Sequence, residues 1–167
     1  MNNNSSSNKN LYLNNEPITS LIISDEVTII PSYAFYKCNN LTSVTISNSV
    51  TSINDYAFCD CRGLTNVLIG NGVTNIDAYA FANCSSLIDI IIPNSVTNMN
   101  VGSFDDCRSL TNVIIGNGIT NIPHGCFSHC NSLISIVIPD TVTNIVDYAF
   151  QGCNRLKTVF YAGTEEQ

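Results

Sequence analysis

The chain has no tryptophan, two histidines, two methionines and only six lysines and arginines in 167 residues. Each scarcity removes a class of function. Six basic side chains against 13 acidic ones leave a net charge of −7, which repels nucleic acid and the anionic surface of a membrane. No apolar run approaches the roughly 18 residues that a spanning helix needs, so membrane insertion is not expected. The N-terminal segment MNNNSSSNKN lacks the apolar centre of a secretory signal. Both histidines, His124 and His129, fall in one short window, and no serine sits in a nucleophile-elbow pattern. The GNG turns lack the helix and spacing of a dinucleotide site. Neither an enzyme nor a bound cofactor is expected. Charged residues make up only 11% of the chain and hydrophobic ones 44%, so its polar surface must be Asn, Ser and Thr.

What the chain does have is repetition. Cys38, Cys61, Cys84, Cys107, Cys130 and Cys153 follow one another at 23-residue intervals, without an insertion or deletion. Phe35, Phe58, Phe81, Phe104, Phe127 and Phe150 keep the same register. So do Leu41, Leu64, Leu87, Leu110, Leu133 and Leu156, with Ile18 in the first place. The units are 18–40, 41–63, 64–86, 87–109, 110–132 and 133–155, with a partial one at 156–163; residues 1–17 form a polar tail, expected to be largely disordered with a partial cap over the first coil. A fixed period of this size marks a solenoid or array. A second period overlies the first. Units three and five continue their strand with IGNG, whereas units four and six continue with IPNS and IPDT.

The unit LTNVLIGNGVTNIDAYAFANCSS, residues 64–86, shows how one coil is built. Val67 and Ile69 alternate with Leu68, the period of a short strand. The GNG at 70–72 turns the chain, and Val73 and Ile76 return it to the core. Asp77 is placed to start a short helical turn, AYAFANC. One coil offers about seven apolar side chains, worth roughly 1.5–3 kcal/mol each when buried. Ordering its residues costs on the order of 1.5 kcal/mol apiece. The deficit closes only when neighbours stack and share both faces. Stacking at about 4.8 Å gives a parallel sheet of about seven coils.

Stacking decides the reading of the cysteines. Equivalent residues in a parallel ladder point the same way, so neighbouring Cβ atoms stay about 5 Å apart, beyond the usual disulfide separation. The six ladder cysteines are expected to be buried thiols that act as small hydrophobes. Cys126 replaces an alanine and is expected inside. Cys59 is expected on the outer side of its turn, exposed. His124, Cys126, His129 and Cys130 in PHGCFSHC are zinc-ligand types, but register turns the cysteines in and the histidines out. Four ligands must converge for a structural zinc, so no metal site is expected. Asp105 and Asp106 lack the oxygen-rich loop of a calcium site.

The opening of each unit, as in LTNVLI, resembles a leucine-rich repeat. The late cysteine sharpens the likeness. Residues 61–84 reproduce the pattern C-x-x-L-x-x-I-x-I…V-x-x-I…A-F-x-x-C, which is similar to the BspA-like leucine-rich repeats of bacterial and protist surface proteins. The resemblance spans residues 18–163. It implies a curved α/β leucine-rich-repeat solenoid with strands on the concave side and no catalytic residues. By the same resemblance the chain is expected at a cell surface or secreted, in adhesion to host or matrix proteins.

Alternation then sorts the strand residues. Val67 and Ile69 point in, so Leu68 points out. Its column reads Ile22, Thr45, Leu68, Ile91, Ile114, Val137 and Phe160. The neighbouring outward column, Ser20, Ser43, Asn66, Asp89, Asn112, Ser135 and Thr158, is polar throughout. An apolar stripe of this kind often marks an interaction surface; it also suits the preference of sheets for β-branched residues. Two functions remain open: a protein-binding module that works through the concave sheet, and a structural or intracellular scaffold that self-associates end to end through its uncapped last coil.

Overall fold

The computed structural model describes residues 9–161; the start of the polar tail and the end of the partial seventh unit lie outside these bounds. The first described segment is a hairpin of β1 (Tyr12–Leu13) with β2 (Glu16–Pro17). The side-chain amide of Asn40 donates to the carbonyls of Leu11 and Ile18 at 2.8 and 2.7 Å, which ties the hairpin to the first full coil. The sequence reading places a partial cap over the first coil in this stretch of the polar tail.

The solenoid follows. Its long strands are β3 (Ser20–Ile23), β5 (Ser43–Ile46), β7 (Asn66–Leu68), β9 (Asp89–Ile92), β11 (Asn112–Ile115), β13 (Ser135–Ile138) and β15 (Thr158–Tyr161). Between them lie two-residue strands on a second side: β4 (Ile29–Ile30), β6 (Ser52–Ile53), β8 (Asn75–Ile76), β10 (Asn98–Met99), β12 (Asn121–Ile122) and β14 (Asn144–Ile145). Every pairing among these strands is parallel and in 23-residue register, as in Val113 beside Ile90 and Ile136. The chain thus makes six turns, and β15 begins a seventh, where about seven coils were expected.

The expected helical turns do not form. No described residue is helical. The segment 77–84 is a string of tight turns, in which Tyr79 and Asn83 take φ of 55° and 58°. Left-handed residues at both places break any α-helix. Hydrogen bonds alternate along it. Ala80, Ala82 and Cys84 donate within the turn to Asp77, Tyr79 and Phe81. Tyr79, Phe81 and Asn83 donate across to Val101, Ser103 and Asp105 of the next coil. The backbone is satisfied by stacking instead of by a helix.

The core is a set of columns. Phe35, Phe58, Phe81, Phe104, Phe127 and Phe150 stack nearly parallel, with ring centroids 5.0 Å apart at one end and 5.7 Å at the other. Strands stack at about 4.8 Å. The turn side is therefore the wider, and the long-strand sheet lies on the concave side. Each ladder thiol from Cys61 to Cys153 donates to the phenylalanine carbonyl one coil back, for example Cys61 Sγ to Phe35 O at 3.0 Å and Cys84 Sγ to Phe58 O at 3.3 Å.

Candidate functional site: the concave sheet

Residues of the long strands alternate in and out, so the concave face is written by two outward columns. In the apolar column Ile22, Leu68, Ile91, Ile114 and Phe160 are exposed, Ile22 by 75% and Ile91 by 62%. Thr45 is exposed as well, and Val137 is half-buried. The sequence reading overlooked two further members. Ile88 and Ile134 stand exposed at the feet of β9 and β13, in a column that otherwise reads Thr19, Thr42, Thr65, Thr111 and Lys157. The polar column is laced together by side chains. Ser43 Oγ donates to Ser20 Oγ at 2.9 Å, Asn112 Nδ2 to Asp89 Oδ1 at 2.9 Å, and Ser135 Oγ to Asn112 Oδ1 at 2.7 Å.

The sheet is divided. Strands β3, β5 and β7 form one ladder, and β9, β11, β13 and β15 form another. Between β7 and β9 the described bond is Ile88 N to Thr65 O, at a long 3.4 Å. Pro93 sits at the top of this seam. In the parallel register the residue at this place would donate to the carbonyl of Ile69, and proline has no N–H to give. Pro139 repeats the effect in milder form: β13 pairs with β11 through Val137 but not at Ile138. On the second side Pro123 marks a similar break, between β10 and β12. The two breaks fall at different coils, so each is bridged by the intact ladder on the other side.

A cavity of about 600 Å³ opens onto the concave face at the β7–β9 seam. Leu68, Ile69, Ile90 and Ile91 provide apolar lining, and Asp25, Asn66 and Asp89 provide polar lining. No Lys, Arg or His contributes to its wall.

The thiol ladder lies away from this face. Cys38, Cys61, Cys84, Cys107 and Cys130 are buried, Cys153 is half-buried, and all eight thiols are free. Cys126 is buried, with its pKa pushed up to about 12 by desolvation. Cys59 corrects an expectation. It is buried too, and desolvation, reinforced by the nearby charge of Asp60, pushes its thiol up to about 12. In the zinc-like window Cys126 and Cys130 face inward while His124 and His129 are exposed. Among the described residues no three His, Cys, Asp or Glu side chains converge as a metal site would require. The sequence reading also passed over the turn side, where Tyr33, Tyr56 and Tyr79 stack at 5.0 and 5.2 Å in left-handed conformations. The same column holds Gly102 and Gly125 at positive φ, and the Tyr79 ring covers Gly102 where a Cβ would stand.

The family signature described as "BspA type Leucine rich repeat region" matches six copies, over residues 5–133 and 120–164. The chain belongs to the BspA-type leucine-rich repeats. No curated protein matches the sequence. Among solved structures, a leucine-rich repeat protein of T. pallidum is 30% identical, with a TM-score of 0.75 over 89% of this chain and 65% of that one. A leucine-rich repeat protein of Bacteroides ovatus is 31% identical, with a TM-score of 0.79 over 85% of this chain and 37% of that one. The pneumococcal vaccine antigen PcpA, at 22% identity and a TM-score of 0.71, covers 92% of this chain and 43% of its own and shares the fold. This BspA-type chain thus spans less than two thirds of the length of each of these arrays. Leucine-rich repeats as a class are repeat-based modules that generally bind protein ligands. No helix among the described residues is long and apolar enough to cross a membrane.

Proposed function

We propose that this BspA-type array is a non-catalytic recognition module that binds a protein ligand through its concave sheet, in adhesion or recognition at a cell surface. The observation that carries the reading is the exposed apolar column from Ile22 to Phe160 beside a hydrogen-bonded polar column. Apolar side chains held out on a rigid sheet lose little entropy when a partner covers them, which is the economy that preorganised interfaces exploit. The ligand we favour is a host or matrix protein, in line with the family. The test is a display selection of peptides and protein domains on the wild-type chain, repeated with Ile91→Glu and Ile114→Glu together. Loss of the selected binders in the variant is expected. Binders retained at full strength would assign the column to sheet chemistry alone.

A further inference from the structure

We infer that the seam cavity selects an extended basic peptide, with two cationic side chains about six residues apart bracketing an apolar one. The inference deepens the concave-face reading and rests on it. Two carboxylates line the cavity and no positive side chain does. Asp25 comes from the turn after β3, in the first coil, and Asp89 opens β9, in the fourth. Three coil spacings, about 14 Å, separate them along the stack, and five residues of register, about 16 Å, separate them along the strand, since Asp89 stands level with Ser20. An extended peptide lying diagonally covers the roughly 20 Å between them in about six residues at 3.3–3.4 Å each.

The two carboxylates differ in how they are held. Asp89 Oδ1 accepts from Thr111 Oγ1 and from Asn112 Nδ2, both at 2.9 Å, so the carboxylate is fixed and Oδ2 remains free to accept from a ligand. Asp25 has no hydrogen bond or ion pair among the described residues. Between them Leu68 and Ile91 stand exposed on the two sides of the seam. An arginine or lysine suits such a wall, because its aliphatic stem covers apolar surface while its charged end reaches a carboxylate. Arginine suits it better, since a guanidinium forks onto a carboxylate through two donors. The net charge of −7 draws a basic ligand from a distance and makes its capture sensitive to salt.

The experiment uses three fluorescein-labelled peptides, followed by fluorescence anisotropy at low ionic strength. They are Arg-Ala-Ala-Leu-Ala-Ala-Arg, its neutral counterpart Gln-Ala-Ala-Leu-Ala-Ala-Gln, and Arg-Arg-Ala-Ala-Leu-Ala-Ala, which keeps the charge and loses the spacing. The proteins are the wild-type chain and the double variant Asp25→Asn, Asp89→Asn. Asparagine at 89 keeps an acceptor for Thr111 and Asn112, and an unchanged thermal transition checks that the variant is folded. The expected result is tightest binding of the first peptide, weakened at least about tenfold by the neutral change, by the spacing change or by the double variant. Equal binding of the first and third peptides overturns the inference, as does a double variant that binds like wild type. If the neutral peptide binds as well as the basic one and is lost with Ile91→Glu and Ile114→Glu, the inference fails while concave-face recognition stands. If none of the three binds, the inference fails, and the display selection judges the concave face separately.

Discussion

A thiol at Cys84 meets two demands together. It fills a site in the column with no exposed surface, and its S–H reaches the carbonyl of Phe58, which also accepts from the N–H of Cys61. Alanine leaves a void there, and serine shortens the reach while burying a stronger dipole. Each of Cys84→Ala and Cys84→Ser is expected to destabilise the chain by about 1–3 kcal/mol. Urea unfolding measures this as a lowered midpoint at unchanged slope; an unmoved midpoint removes the thiol column from the account. Burial has a consequence in pH as well. The folded pKa values of Cys84, Cys107 and Cys126 lie above the unfolded thiol value near 9, with desolvation the first cause of each. The unfolded chain therefore binds fewer protons than the folded one at alkaline pH, and stability falls as pH rises. Below about pH 8 these thiols contribute no slope. From about pH 9 upward each subtracts on the order of 1 kcal/mol per pH unit. Urea midpoints taken from pH 7 to 11 should stay level and then drop, and a level curve through pH 11 contradicts the burial.

At the scale of the element, proline placement controls the sheet. Pro93 withholds the donor that would face Ile69, and the ladder between β7 and β9 is missing. By the register of the other coils, the N–H groups of Asp89 and Ile91 are the ones that point at β7, as Ser43 N points at Thr19 O. Their counterparts Asn112 and Ile114 lie in a complete β9–β11 ladder. Hydrogen exchange should run at least about tenfold faster at Asp89 and Ile91 than at Asn112 and Ile114; equal protection would mean the seam is closed in solution. Strands were legible in the sequence because alternation is a direct imprint of inward and outward faces, and the 23-residue period told that equivalent residues stack. The turns were not. AYAFANC has the spacing of one helical face, and the left-handed φ of Tyr79 shows only in its column, where Gly102 and Gly125 occupy the same place. Tyrosine at positive φ costs roughly 1–3 kcal/mol, against about 0.5–1.5 kcal/mol for each stacked aromatic pair. That balance involves three coils at once, and no single unit displays it. Cys59 was misplaced for the same reason: an assumed helix sent it outward, whereas the true turn buries it.

On the scale of the molecule, the apolar column was readable and the cavity was not. Ile22, Leu68 and Ile91 announce themselves by parity. The space between β7 and β9 is a property of two coils and of a proline whose effect depends on the strand below it. Family membership came from the whole repeat, whereas the preference for a basic ligand comes from Asp25 and Asp89, two residues that the period does not relate. All of it depends on coils that lie one upon another in register. The most direct test is a pulsed dipolar distance between nitroxides on unnatural amino acids at positions 28 and 143, exposed threonines in equivalent places five coils apart. A single narrow distribution near 25 Å is the expected result, from about 4.8 Å per coil. A broad distribution, or one centred beyond about 40 Å, contradicts the stack and with it the surface on which recognition depends.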